Sequence, residues 1–118
     1  MEFDQFAVAL LVLRPDAPKL DEQAENALQD AHMAFLADLH KAGHLLAAGP
    51  LLGATDREFR GLSILCVDPG RALALNQEDP AVRAGRYNVI VFPWMVPKGA
   101  MVFSPTRFPR SMEEVNKE

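Results

Sequence analysis

The chain has 118 residues, of which 49% are hydrophobic and 24% are charged, and this composition is typical of a single globular domain. A formal net charge of −4, without a dense basic stripe, argues against nucleic acid as a partner. Because the sequence has neither a signal-peptide pattern nor an apolar run of about 18 residues, we expect no membrane partner and a cytoplasmic location.

The first two predicted elements are a strand and a long helix. Residues 5–13 are rich in Val and Leu, and the turn at 14–18, which contains two prolines, ends this strand. Asp21 can cap a helix that runs to Ala42, and Gly43 supplies the left-handed residue that commonly ends one.

His32 lies on the apolar stripe of this helix, on the same face as Leu28, Phe35 and Leu39. A side chain that titrates near neutral pH is not needed for packing at such a position. Two interpretations stay open: a core histidine whose ring nitrogens are hydrogen-bonded internally, and a functional imidazole that faces a pocket.

The remaining elements are two antiparallel strands joined by hairpin-turn chemistry at 53–56, a short helix with Pro69 at its first position, and a fourth strand. We place them at residues 44–51, 58–67, 69–77 and 86–94. The single cysteine, Cys66, lies in an apolar run, which predicts a buried strand residue and not a disulfide partner.

The order β-α-β-β-α-β predicts an α+β fold, the ferredoxin-like sandwich, in which both helices cover one face of a four-stranded antiparallel sheet. Residues 6–13 and 89–92, in the first and fourth strands, are apolar at every position, which is typical of strands buried on both faces. Two helices cover only one face. We therefore expect a homodimer in which a second copy covers the other face.

Four signals occur in a characteristic order: the helical His32, the helix-ending Gly43, the strand sequence 48–50 (Ala-Gly-Pro), and the pair Asp79-Pro80. Together they resemble the YCII-related domain of the dimeric α/β-barrel superfamily, over about residues 5–94. The resemblance implies a dimeric α/β barrel with a pocket in each protomer and an active-site pair formed by His32 and Asp79. Ala81 departs from the family pattern, in which an aromatic residue often follows the Asp-Pro pair.

Asp79 has a second interpretation that needs no active site. An Asp before Pro80, with Gly85 following a few residues later, is typical of the N-cap of one helical turn. Capping and pairing with His32 are compatible, because one carboxylate oxygen can accept from the backbone while the other meets the imidazole.

The charge is unevenly distributed: residues 1–79 hold six basic and thirteen acidic residues, whereas residues 80–118 hold six and three. Such a basic segment suits a small anionic ligand, or it simply pairs with the acidic first helix. Candidate substrate-binding residues are Arg60, Arg86, Ser104 and Arg107. We divide the chain into a domain at 1–94 and an extension at 95–118, too apolar for a free tail, that packs on the domain or on the partner subunit.

We expect no metal ion and no cofactor. Gly43 separates His40 from His44, no third ligand stands at a suitable spacing, and no phosphate loop or dinucleotide fingerprint occurs. The leading hypothesis, which rests mainly on the resemblance, is a small cofactor-independent isomerase or lyase that acts on an anionic or ring-oxygenated molecule through His32 and Asp79. The rival is a non-catalytic dimeric module that binds a small ligand or a protein, and a third possibility is a cofactor-free monooxygenase.

Overall fold

A computed structural model of the protein describes residues 1–52 and 58–117, so the predicted hairpin turn at 53–56 lies outside the described residues. The elements in chain order are β1 (Phe3–Leu13), α1 (Glu22–Lys41), β2 (Leu45–Pro50), β3 (Phe59–Leu65), α2 (Pro69–Asn76), α3 (Pro80–Arg83), β4 (Tyr87–Pro97) and α4 (Met112–Asn116). No helix in the described ranges is long and apolar enough to cross a membrane.

The four strands form one antiparallel sheet in the order β2-β3-β1-β4, which confirms the predicted α+β, ferredoxin-like fold class. β1 is paired along its whole length with β4, from Phe3 opposite Pro97 to Leu13 opposite Tyr87. α1 follows β1, and α3 precedes β4. Because β1 and β4 pair along their whole length, the start of α1 lies beside the end of α3.

Both long helices begin and end where the local chemistry predicts. Asp21 accepts a hydrogen bond from the backbone N–H of Ala24 at 2.8 Å, and Gly43 follows α1 with a φ of +86°. At α2 the Asp68 side chain caps the N–H of Arg71 at 2.9 Å. Both helix starts therefore have a capping side chain, and α1 also has a left-handed glycine after its end.

The core lies between the helices and one face of the sheet. Its fully buried members come from both helices and three strands: Ala7, Ala9, Leu39, Leu45, Leu65 and Ala72. Small residues on β1 let α1 and α2 approach the sheet closely.

The other face of the sheet is open in the single protomer. Along β4, Val89 and Val91 pack against the core, whereas Ile90, Phe92 and Trp94 are 41%, 48% and 38% exposed. The expectation that these apolar strands are buried on both faces thus holds, within one chain, for the helix-covered face only. A patch of large apolar side chains remains on the surface.

Two sequence-based expectations are wrong in detail. Cys66 is exposed and follows the end of β3. It lies outside the sheet because Asp68 and Pro69 begin α2 directly afterwards. Its thiol donates a hydrogen bond to the Gly43 carbonyl at 3.0 Å. β4 continues past Trp94 to Pro97. This strand tolerates its prolines because it is an edge strand of the sheet.

Replacement of Gly43 tests the left-handed helix end. Nothing lies within 4 Å of a Cβ at Gly43, so Gly43→Ala is costly only through its φ of +86°, and we expect it to lower the free energy of unfolding by about 1–2 kcal/mol in urea denaturation. Gly49→Ala is the matched control, since Gly49 has equal space and no positive φ. Equal stability of the two variants would contradict this explanation of how α1 ends.

Candidate functional site

His32 and Asp79 are in contact although 47 positions separate them in sequence, with Nδ1 2.7 Å from Oδ2. α1 carries the histidine, and the turn that begins α3 carries the aspartate. Asp79 has no exposed surface, and the side chain of His32 is 11% exposed. The structure therefore places both residues at the junction between the two helices.

The two carboxylate oxygens of Asp79 have separate partners. Oδ1 accepts from the backbone N–H of Ala81 at 2.8 Å and so caps α3, while Oδ2 meets the imidazole. Pro80 occupies the first position of α3, and Gly85, with a φ of +81°, follows its end. One side chain thus both caps a helix and orients a histidine.

The pair determines which ring nitrogen of His32 is available for chemistry. An ionised carboxylate only accepts hydrogen bonds, so Nδ1 carries the proton in this contact. No described residue bonds to Nε2, and no side-chain nitrogen or oxygen of the described residues is both buried and without a partner. Nε2 therefore reaches solvent, and its lone pair is available to a bound molecule.

Tyr87, which sequence reasoning missed, forms one wall beside His32. Its ring is 8% exposed and lies edge-on to the imidazole, with 6.3 Å between the ring centroids. Leu11 and Ala81 pack against the same ring. The only signal that could have identified it is its position as the first residue of the strand that follows α3.

Arg86 forms an ion pair with an acidic residue of α1. Its guanidinium forms an ion pair with Glu25 and lies 6.0 Å from the centre of the Tyr87 ring. The hydrogen bond that Arg86 donates to Glu25 raises the pKa of Arg86, an effect that partial burial opposes. This pairing, like that of Arg110 with Asp38 on the same helix, matches the alternative in which basic residues pair with the acidic first helix.

Arg60 and Arg86 both line a surface cleft of about 450 Å³ between the β1–α1 connection and the sheet. Its other lining residues are partly apolar and partly charged: Leu13, Ala17, Pro18, Lys19, Leu20 and Glu25. His32 does not line this cleft. Tyr87 separates the histidine from the cleft, since Arg86, which lines the cleft, contacts Tyr87, and Tyr87 contacts the imidazole.

Ser104 and Arg107 are not brought to this cleft within one protomer. Both lie on the exposed extension, where Arg107 pairs with Glu114 at 3.1 Å and lines a separate, smaller depression. Among residues 1–52 and 58–117, no group of three or more His, Cys, Asp or Glu side chains is placed to hold a metal ion.

Comparison with known proteins gives one family and one informative structure. The model of the YCII-related domain matches residues 8–95. A solved structure of 5-chloro-2-hydroxyhydroquinone dehydrochlorinase from Burkholderia phenoliruptrix, in complex with 2,5-dihydroxybenzoquinone, is 25% identical, with a TM-score of 0.55 over 75% of this chain and 92% of that one. No curated protein matches.

The Nδ1–Asp79 contact predicts the tautomer of His32. In the neutral ring we expect the proton on Nδ1, with Nε2 unprotonated, because the carboxylate accepts from Nδ1. Long-range ¹H–¹⁵N NMR correlations report this directly, and Asp79→Asn should abolish the preference. Asp68→Asn, at a helix cap that contacts no histidine, is the control. A ring protonated mainly on Nε2 in the unmodified protein would contradict the assignment.

Proposed function

The chain belongs to the YCII-related domain family, and from this premise we propose that it is a small enzyme that transfers a proton on a ring compound, with His32 as the general base or acid and Asp79 as its orienting partner. The observation that supports this proposal most is the 2.7 Å contact that leaves Nε2 both unbonded and open to solvent. The similar dehydrochlorinase, whose structure contains a dihydroxybenzoquinone, supports the choice of a ring compound.

The proposed chemistry needs only proton transfer. Nε2 takes a proton from a carbon or hydroxyl of the ring, and the imidazolium that forms is stabilised by the buried Asp79 carboxylate. In an isomerisation the proton returns at another position of the ring. In an elimination the electron pair of the broken bond expels a leaving group from the neighbouring carbon, and the imidazolium releases its proton to solvent or to that group.

We assign only the anionic end of the substrate to the cleft that Arg60 and Arg86 line, and the reacting atom to Nε2 of His32, which does not line the cleft. The basic side chains of the cleft suit an anionic oxygen, and its apolar part, with Leu13, Pro18 and Leu20, suits the carbon skeleton next to that oxygen. Arg86 would share its charge between Glu25 and the substrate. Ser104 and Arg107 receive no part in this proposal, because both lie outside the cleft.

A homodimer is the second part of the proposal. A second copy placed on the open sheet face would bury Ile90, Phe92 and Trp94, which a lone protomer leaves in water. At roughly 25 cal/mol for each Å² of apolar surface removed from water, such side chains provide a substantial driving force for association.

The proposed catalysis is tested with a panel of hydroxylated and chlorinated hydroquinones, including 5-chloro-2-hydroxyhydroquinone, by following chloride release and ring absorbance. We expect turnover above buffer for at least one member of the panel, and a loss of about 10²–10⁴-fold in kcat in His32→Gln. His44→Gln, a histidine outside the pair, should keep full activity.

The rival, a non-catalytic module in which His32 and Asp79 only join α1 to α3, predicts a different outcome. It expects no turnover, and a loss of about 1–3 kcal/mol of stability in both His32→Leu and Asp79→Asn. Thermal melts at one protein concentration measure this loss. Absence of turnover with the whole panel, together with strong destabilisation by both changes, would overturn the enzyme proposal.

The dimer is tested by sedimentation at micromolar concentration. We expect the mass of two chains, and a shift to one chain in Phe92→Asp, because a charge on the open face cannot be desolvated without a partner. Val102→Asp is the control, since Val102 is 87% exposed on the extension. A folded monomer at this concentration would contradict the assembly.

A further inference from the structure

The C-terminal extension lies beyond the part of the chain that the family model matches, and it packs along α1. Phe103 contacts Phe6 edge-on at 5.6 Å, and further along the side chain of Arg110 pairs with Asp38 at 2.7 Å. The N–H of Met112 then donates to Asp30 at 2.9 Å. Residues 101–117, hereafter the strap, therefore begin against β1 and run antiparallel to α1 from Thr106 to Met112.

His40 is the point at which the strap meets the end of α1. Its Nδ1 lies 2.7 Å from the carbonyl oxygen of Leu45 at the start of β2, and its Nε2 lies 3.0 Å from the carbonyl oxygen of Thr106 in the strap. Phe108 stacks on the ring, with 4.1 Å between the centroids and 13° between the planes. Both ring nitrogens thus face acceptors.

This arrangement offers more hydrogen bonds to the imidazolium than to the neutral ring. A neutral imidazole has a single N–H and can donate to only one of two carbonyls, whereas the imidazolium donates to both. The stacked Phe108 adds a favourable contact between a cation and an aromatic face. When the proton leaves, Nε2 can only accept, and the nearest donor is the N–H of Thr106 at 3.5 Å, the long limit of a hydrogen bond.

We propose that the strap is a proton-dependent latch, held on α1 by the doubly protonated ring of His40 and loosened when that ring becomes neutral. This proposal does not depend on the proposed enzymatic activity. It concerns a segment outside the family domain and a histidine on a different part of α1 from His32.

The other polar contacts of the strap do not change over the same pH range. The hydrogen bond from Arg110 lowers the pKa of Asp38, and the backbone N–H of Arg110 lowers that of Glu114. A carboxylate with a lowered pKa stabilises the folded state above its ordinary pKa, and this contribution is lost only as the pH falls through the lowered value. Both contacts therefore persist from mildly acidic to alkaline pH, which leaves the protonation of the His40 ring as the change on which the latch depends.

Several charged or titratable groups belong to the elements that meet at this contact, and a test must separate them from His40: Asp38 and Lys41 on α1, His44 and Cys66 beside β2, and Arg107 and Arg110 on the strap. His44 is the main competitor because it is the other histidine near this contact.

NMR relaxation of the full chain tests the latch. At about pH 5.5 we expect backbone order parameters near 0.85 for the amides of residues 104–108, between the contacts of Phe103 and Arg110, falling below about 0.6 at pH 8. The midpoint of this change should coincide with the ¹⁵N titration of the His40 ring. His40→Gln should show low values at both pH values, whereas His44→Gln should follow the unmodified protein.

Three results would overturn the latch: order parameters for residues 104–108 that are equal at both pH values, a midpoint that follows His44, and an unchanged pH response in His40→Gln. If His40→Gln does not fold, the coincidence of the two midpoints in the unmodified protein still decides, since a mismatch alone rejects the proposal.

Discussion

The buried carboxylate of Asp79 is the constraint on which the arrangement of the site depends. A charge without exposed surface is costly unless each oxygen has a donor, and here the donors are the backbone of Ala81 and the ring of His32. The first begins α3 and so determines where β4 starts. The second fixes α1 against α3. Moving either helix would leave the carboxylate unpaired, so the requirement for hydrogen bonds holds the histidine in one orientation.

Much of this architecture could be predicted from local chemistry. Caps at Asp21 and Asp79, left-handed glycines at Gly43 and Gly85, and apolar periodicity on α1 depend on neighbouring residues only, and the sequence displays them directly. Long-range partners are different. The pairing of Arg86 with Glu25 requires knowing that β4 passes beside the start of α1, and the place of Tyr87 beside His32 has no local signature. The exposure of Cys66 likewise depends on where α2 pulls the chain away from the sheet.

The helix α1 presents different chemistry on its different sides. Its core side carries Leu39 and the His32 ring, its N-terminal turns carry Glu25 for Arg86, and its outer side receives the strap through Asp30, Asp38 and His40. One helix thus connects the family domain to the added C-terminal segment. The two histidines have different partners, a carboxylate for His32 and two backbone carbonyls for His40, so identical side chains make different hydrogen bonds on the same helix.

The prolines of β4 have a consequence for how copies of this protein can meet. β4 is an edge strand of the described sheet, and Pro93 and Pro97 lie in it without an amide proton to offer a neighbouring strand. An edge interrupted in this way is a poor template for another extended chain, so sheets cannot easily polymerise by adding strand to strand. The prolines therefore disfavour fibril growth at β4, which is also the strand whose apolar face is exposed. Association through the apolar face, as in the proposed homodimer, is complete once two copies have met, whereas addition of strands at an edge has no such limit.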